Sequence, residues 1–166
     1  MSKAVTRPNL DLYFRNHPKK LSANQATASS SSTSDIPKNV PNSEDINRMA
    51  ELLKDTGALV KKTGENSYSI NPSKVKNGVL DESKTRKLRS SIVLVGPLLA
   101  RLGRVKFYHP GGCILGKRPI DIFFDGFKAF GAKIKQDKDS YIVSAKDLRG
   151  ADFFFRKITV TGTETL

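Results

Sequence analysis

The amino-acid sequence predicts an α/β fold in which one module, a helix followed by two short strands, occurs twice. In the first copy a helical pattern ends at Gly57, and after a strand and a turn a second strand begins at Ser67. The same order recurs at Gly131 and Ser140, and the two glycines are 74 residues apart. This spacing exceeds the period of most solenoids, so the repeated unit is a supersecondary module rather than a short stacked repeat. We therefore expect a pseudo-symmetric domain in which helices cover sheet.

The first module is predicted to begin with an amphipathic helix. Asn42, with Asp45 three residues later, suits a helix N-cap. Apolar residues then follow at helical spacing, namely Ile46, Met49, Leu52 and Leu53. The helix should stop at Gly57, because glycine readily adopts the left-handed conformation that ends many helices. Strands are predicted at 58–62 and 67–71.

A second helix is predicted over residues 82–102, because a single apolar stripe runs along this stretch. Its members are Leu88, Ile92, Val95, Leu99 and Leu102. Pro97 lies inside the stretch and is expected to kink the helix. A strand at 104–108 follows, and the glycine- and proline-rich residues 109–119 predict a loop.

The second module is predicted as an apolar helix over residues 120–130 and two strands at 132–136 and 140–145. Four phenylalanines of this helix fall at core spacing rather than forming a surface on which bases could stack, namely Phe123, Phe124, Phe127 and Phe130. This pattern argues against a nucleic-acid interface on the helix.

The charge of the chain predicts an anionic partner. The 166 residues include 29 Lys and Arg against 16 Asp and Glu, which gives a formal net charge of +13. Such a surface attracts nucleic acid, anionic lipid, nucleotides and phosphorylated small molecules alike. Nucleic acid is the usual partner of a small protein this basic, so a nucleic-acid-binding protein is the alternative interpretation.

Residues 1–38 are predicted to be a disordered leader. They carry six basic and two acidic residues and include an unbroken Ser and Thr tract at 29–34, so they offer too little apolar surface to offset the entropy of ordering. The folded domain is expected over residues 39–166. The longest apolar run, 92–100, is far shorter than the roughly 20 residues of a membrane helix, so no membrane span is expected.

Cys113 is the only cysteine of the chain, so neither an intrachain disulfide nor a multi-cysteine metal site can form. A reducing, cytoplasmic environment is predicted, with no metal and no cofactor. The thiol lies in a loop with three glycines beside Lys117 and Arg118, whose charges lower a thiol pKa and bind phosphate. The other interpretation is that Cys113 is a small buried hydrophobic residue.

Three separated motifs of the sequence resemble those of a single enzyme family. The segment PGGCILGKRPID at 110–121 is similar to PGGCxIGxRPxD, the active-site loop of the UDP-N-acetylglucosamine 1-carboxyvinyltransferases. LRSSIVLVGPLLARLG at 88–103 and KITVTGTETL at 157–166 are similar to two further family segments, although Thr165 stands where Asn is usual. NVPNSEDI at 39–46 fits the same register, so the resemblance spans residues 39–166.

The resemblance implies the inside-out α/β barrel of the enolpyruvyl transferases, of whose six modules this chain covers about two. It implies transfer of enolpyruvate from phosphoenolpyruvate to the 3′-hydroxyl of UDP-N-acetylglucosamine, the first committed step of peptidoglycan synthesis. Cys113 would be the catalytic acid, and Arg118 would contact the phosphate of phosphoenolpyruvate. The implied substrate-binding residues are Arg89, Arg118, Pro119, Ile120, Asp121, Ile122, Lys157, Ile158, Thr159 and Val160.

Several of these residues also have purely structural interpretations. Arg89 could be a solvated residue at a polar helix start, and Lys157 could be a charge on an edge strand. Asp121 could cap the helix that begins there.

Two parts of the family pattern have no match in this sequence, namely the GAKNA-like opening strand and the second domain that supplies the carboxylate base. We therefore expect the chain to be inactive alone; whether it is a gene fragment or works with a companion chain that supplies the missing modules is left open by the sequence. A sugar-nucleotide-binding remnant without turnover is a further alternative.

Overall fold

A computed structural model describes residues 34–111 and 119–166. The predictions for Cys113, for Arg118 and for almost all of the leader lie outside these residues. The helices are α1 (Glu44–Asp55), α2 (Glu82–Thr85), a 3₁₀ helix (Arg89–Leu94), α3 (Val95–Leu102), α4 (Asp121–Ala129) and α5 (Val160–Thr165). The strands are β1 (Leu59–Gly64), β2 (Ser67–Asn71), β3 (Arg104–Tyr108), β4 (Lys133–Asp137) and β5 (Ser140–Ser144).

The first module contains α1 and the antiparallel hairpin of β1 and β2. Its helix is capped by Ser43 rather than by Asn42 as predicted, because the Ser43 hydroxyl accepts a hydrogen bond of 3.4 Å from the backbone N–H of Ile46. The helix ends at Asp55, and Gly57 has a φ of +100°, as a left-handed helix terminus requires. The predicted strand at 67–71 is confirmed, and the first strand begins one residue later than predicted.

Residues 35–40 run along the outer side of β2. Asp35 and Ile70 exchange two backbone hydrogen bonds of 2.9 and 2.8 Å, and the Tyr68 N–H donates to the carbonyl of Pro37 at 3.1 Å. The leader boundary at residue 38 stays a prediction, although these contacts show that Asp35 and Pro37 already form backbone hydrogen bonds with β2.

The long helix predicted over 82–102 is wrong: the stretch forms α2, the 3₁₀ helix and α3 as separate elements. The interruption lies at Leu88, whose backbone is extended at φ −132° and ψ 109° and whose side chain is buried. The apolar stripe itself is real, because its members are packed into the core. Pro97 is the third residue of α3, where its missing N–H has no intrahelical partner to lose, so it does not break that helix.

The second module forms a three-stranded antiparallel sheet in the order β3, β5, β4. The loop residue Val79 extends it by a parallel bridge to Lys106, whose backbone bonds Gly78 at 2.7 Å and Leu80 at 2.9 Å. The helix α4 lies within one residue of its predicted bounds at each end. Gly131 follows it with a φ of +88°, which matches Gly57 in the first module.

A single apolar core joins the two modules. Its buried members are Leu52, Leu80, Leu88, Ile92, Val95, Leu98, Leu99, Val105, Phe107, Ile120, Phe123, Phe127, Ala132 and Val143. The short helix α5 closes this core, because α3 and α4 each present a glycine to it. A Cβ on Gly96 would stand against the carbonyl oxygen of Thr165, and a Cβ on Gly126 would stand against the side chain of Leu166. None of the helices in the described part of the chain has the length and apolar character needed to cross a membrane.

Candidate active site

Both ends of the cysteine-containing loop are fastened to one turn of the chain. On the N-terminal side, the backbone N–H of Gly111 donates to the carbonyl of Thr85 at 3.2 Å. On the C-terminal side, Nη2 of Arg89 donates to the carbonyl of Pro119 at 3.3 Å. The loop residues 112–118, with the predicted Cys113 and Arg118, lie outside the described residues, but the residues that flank them are held four positions apart on one turn.

Gly111 has to be a glycine for this attachment to form. A Cβ at this position would stand against the carbonyl of Arg86, which is backbone and cannot rotate away. The sequence pattern indicated close backbone approach in this loop, and Gly111 is one place where it occurs.

The turn beneath the loop is fixed by the short helix α2. Asp81 caps this helix by accepting hydrogen bonds of 2.7 Å from the Ser83 hydroxyl and 3.0 Å from the Lys84 backbone. These bonds hold the pKa of Asp81 below its ordinary value of 3.8, with the Ser83 hydroxyl as the largest cause. The Lys84 ammonium pairs with Asp55 at 2.6 Å, and this hydrogen bond raises the pKa of Lys84. The turn is therefore attached to the end of α1.

Arg86 attaches the same turn to the second module. Its guanidinium contacts Glu82 at 2.9 Å and Asp139 at 3.3 Å, in the turn between β4 and β5. The hydrogen bond that Arg86 donates to Glu82 is the largest cause that raises the pKa of Arg86, and the charges of Glu82 and Asp139 raise it further. The guanidinium also lies 6.0 Å from the ring centroid of Tyr108. Contacts from both modules thus converge under the ends of the cysteine loop.

The stretch after the loop leads directly into α4. Ile120 occupies the N-cap position and is buried, so its side chain is not open to a ligand. Asp121 is the first residue of α4 and its side chain forms no cap, so the capping interpretation is wrong. Pro119 is exposed and Ile122 is half-buried. The exposed carboxylate of Asp121 is thus the side chain of this stretch best able to accept hydrogen bonds from a ligand.

Arg156 joins this carboxylate to the last predicted segment. Its Nη2 contacts Oδ2 of Asp121 at 3.2 Å and also contacts Oδ2 of Asp125, one helical turn further along α4. Sequence reasoning missed Arg156 and Asp125. The signal was present, because two carboxylates four residues apart on one helix face repel unless a cation lies between them.

Residues 157–159 of the predicted segment are irregular chain and Val160 is the first residue of α5, so the edge-strand interpretation of Lys157 is wrong. The Thr159 hydroxyl caps α5 by accepting a hydrogen bond of 3.0 Å from the Gly162 N–H. Lys157 is exposed, Val160 is 73% exposed, and Ile158 is entirely exposed. Solvated apolar side chains of this kind are available to contact a bound molecule.

The geometry thus brings the three predicted substrate-binding segments together through two arginines. Arg89 contacts Pro119. Arg156, which immediately precedes Lys157 in the sequence, contacts Asp121. Within residues 34–111 and 119–166, no set of three His, Cys, Asp or Glu side chains is grouped to hold a metal ion.

Comparison with known proteins identifies the family to which these segments belong. The family described as EPSP synthase (3-phosphoshikimate 1-carboxyvinyltransferase) matches residues 25–166. The chain belongs to this EPSP synthase family. The resemblance to enolpyruvyl transferases that three motifs predicted is therefore confirmed.

Among its relatives in the EPSP synthase family are UDP-N-acetylglucosamine 1-carboxyvinyltransferases of several bacteria. That of Campylobacter hominis is 44% identical over 128 residues, and that of Dichelobacter nodosus is 38% identical over 128 residues. Each alignment covers 77% of this chain and 30% of the relative. The chain therefore spans about a third of the length of the curated relatives it matches.

A solved structure supports the same fold. The enolpyruvyl transferase NikO from Streptomyces tendae aligns with a TM-score of 0.60 at 18% sequence identity, covering 70% of this chain and 25% of that protein. At this identity the likeness concerns the fold alone, and it confirms the predicted fold class, that of repeated α/β modules.

Proposed function

We propose that this chain forms the cysteine-loop region of a UDP-N-acetylglucosamine 1-carboxyvinyltransferase, with phosphoenolpyruvate and UDP-N-acetylglucosamine as its substrates. One observation carries the proposal: Gly111 and Pro119, which flank the cysteine loop, are both bound to the turn at residues 85–89. This attachment holds the two residues that flank the seven-residue loop on the turn that carries Arg89. The names of the relatives, at 38–44% identity, support the same reaction.

In the proposed reaction the 3′-hydroxyl oxygen of the sugar bonds to C2 of phosphoenolpyruvate while C3 takes up a proton. The bond between C2 and the phosphate oxygen then breaks, and C3 gives up a proton as the alkene re-forms. Cys113 supplies the proton to C3, and Arg118 binds the phosphate, for which a planar guanidinium fork is suited. Asp121 accepts hydrogen bonds from the uracil or ribose of the sugar nucleotide.

Arg89 and the segment 157–160 complete the sugar-nucleotide side of this site. Arg89 adds positive charge where the diphosphate would lie, and it orients the chain at Pro119 through the 3.3 Å contact. The exposed Ile158 and Val160 offer apolar contact beside the Lys157 ammonium. A group to deprotonate the 3′-hydroxyl has no matching motif in this sequence.

Binding and thiol protection test the proposal together. UDP-N-acetylglucosamine should bind the full chain and slow the alkylation of Cys113 by iodoacetamide. Arg89→Gln should weaken both effects, whereas Arg149→Gln, which removes an equal charge elsewhere, should change neither. A chain that shows no binding and no protection at millimolar sugar nucleotide would contradict the proposal.

Catalysis by the 166 residues alone is expected to be below detection. Holding substrate, acid and base together can contribute roughly 7–11 kcal/mol to lowering a barrier, and this sequence offers no matching base. The measurement is phosphate release from phosphoenolpyruvate in the presence and absence of UDP-N-acetylglucosamine. Release that needs the sugar nucleotide and disappears in Cys113→Ala would show that the chain assembles a complete site by itself.

A further inference from the structure

The chain between β5 and α5 follows α4 from end to end. At the C-terminal end of α4 the backbone N–H of Arg149 donates to the carbonyl of Phe130 at 3.0 Å. At its N-terminal end the Arg156 guanidinium contacts Asp121 and Asp125. Between these two points the chain forms neither helix nor strand. Its placement along α4 therefore depends on these attachments more than on regular structure.

The attachment at Arg156 is electrostatic and involves three exposed charges. Asp121 and Asp125 lie one helical turn apart, so their carboxylates repel each other when no cation is near. The single guanidinium between them reduces the local charge from −2 to −1. This matters for the proposed ligand, because a diphosphate would be repelled from an uncompensated carboxylate pair.

The contact also leaves Asp121 able to bind a ligand. Arg156 uses Oδ2 of Asp121, at 3.2 Å, so Oδ1 stays available as an acceptor. Arg156 immediately precedes Lys157, and Thr159 two residues later caps α5. Arg156 therefore contacts the acceptor on α4 and is the residue directly before the segment 157–160.

We propose that Arg156 is a positioning residue of the sugar-nucleotide site, which fastens the segment 157–160 to the N-terminal end of α4 and orients the Asp121 carboxylate. The role in ligand binding rests on the proposed function, whereas the fastening does not. Arg156 itself touches no reacting atom in this proposal; it acts through Asp121 and through the chain that follows it.

The experiment compares Arg156→Gln, Arg156→Lys and Arg149→Gln in the full chain. The first readout is amide hydrogen exchange at Gly162 and Thr163, whose N–H groups bond to Thr159. Arg156→Gln should raise both exchange rates, because the segment that carries the cap is released. Arg156→Lys keeps a cation and should stay nearer to wild type, and Arg149→Gln should have no effect.

The second readout is the dissociation constant for UDP-N-acetylglucosamine. Arg156→Gln should weaken binding by about three- to fivefold, as expected for loss of an exposed ion-pair network. Arg156→Lys should recover part of the loss. Asp125→Asn should leave affinity close to wild type, because Arg156 can then pair with Asp121 alone.

The two readouts separate the possible failures. Unchanged exchange at Gly162 and Thr163 in Arg156→Gln would overturn the fastening, whatever the affinity does. Faster exchange with wild-type affinity would overturn the positioning role and leave the proposed function standing. Absence of any binding by the wild-type chain would overturn the proposed function and the positioning role together, while the exchange rates alone would still decide the fastening.

Discussion

The two modules share their local structure and differ in what surrounds it. Each has a helix, a glycine with positive φ and an antiparallel hairpin, and Tyr68 and Tyr141 occupy matching positions in β2 and β5. Yet β2 is only half-buried along its whole length, whereas β5 contains the fully buried Val143. The hairpin therefore follows from local sequence, and its burial follows from the strands and helices packed beside it.

Neighbouring strands account for the difference. In the second module β5 lies beside β3, whose Val105 and Phe107 are fully buried. In the first module the chain beside β2 is the short stretch 35–40, which includes Pro37 and the exposed Ile36. Stability should accordingly be concentrated in the second module and in the segments connecting the two.

The largest expected effect tests whether stability is concentrated in the second module. Phe107 lies across from Tyr141 in the sheet, as Pro37 lies across from Tyr68. Phe107→Ala should lower the free energy of unfolding by about 3–5 kcal/mol, the usual cost of emptying a buried phenylalanine site. Pro37→Ala should cost less than about 1 kcal/mol, as is usual for a surface substitution. Urea denaturation measures both, and equal losses would show that the modules contribute alike.

The next effect compares the two helix-ending glycines. Both require a left-handed backbone, so Gly57→Ala and Gly131→Ala should each cost about 1–2 kcal/mol. Gly57→Ala should lower the free energy of unfolding more than Gly131→Ala does. The added Cβ at Gly57 would lie 2.6 Å from the carbonyl oxygen of Lys74, whereas the nearest atom to a Cβ at Gly131 is 3.6 Å away. Thermal denaturation of the two variants measures which one loses more stability. A larger loss at Gly131 would mean that the tight fit of Gly57 relaxes at little cost.

A smaller effect is expected at the turn between the modules, where Asp81 caps α2. Asp81→Ala should destabilise the chain by about 1 kcal/mol, the typical value of a lost N-cap. Asp81→Asn retains the cap and is the matched control. In the Ala variant, iodoacetamide should also reach Cys113 at a changed rate, because the turn beneath its loop is loosened; an unchanged rate would separate the cap from the loop.

The smallest effect is the pH dependence of the same cap. Folding lowers the pKa of Asp81, so its ionisation stabilises the native state above its ordinary value of 3.8, and this contribution is lost as pH falls through the lower native pKa. Wild type should therefore lose more stability than Asp81→Asn between neutral pH and pH 3. Parallel curves of unfolding free energy against pH for the two proteins would exclude this contribution.

Much of the fold could be predicted because it depends on local patterns. Alternation predicted the strands 67–71 and 104–108 at their observed bounds, and the two glycines predicted the helix ends. The apolar stripe of 82–102 correctly predicted which residues are buried, but the prediction of one continuous helix over this stretch was wrong. Apolar spacing reports which residues face the core, and a 3₁₀ turn or an extended residue such as Leu88 can satisfy it as well as an α-helix.

The candidate site shows a similar division. Motifs predicted Arg89, Asp121 and the segment 157–160 as substrate-binding residues, and that role stays a prediction. They did not indicate Arg156, because its contact with Asp121 joins residues 35 positions apart and depends on how the chain passes along α4. Thr159 was predicted as a binding residue, and the structure gives its hydroxyl a capping role at α5.

The two glycines that face α5 allow this helix to pack close to α3 and α4. Gly96 on α3 admits the carbonyl of Thr165, and Gly126 on α4 admits the side chain of Leu166. A methyl group at Gly96 would meet backbone and force α5 outward, whereas one at Gly126 would meet a side chain that can rotate. The chain that begins at Lys157 would move with α5. The hydrogen atom that Gly96 carries in place of a side chain thus allows α5 to pack directly against α3, and with it sets where the chain that leads into α5 runs.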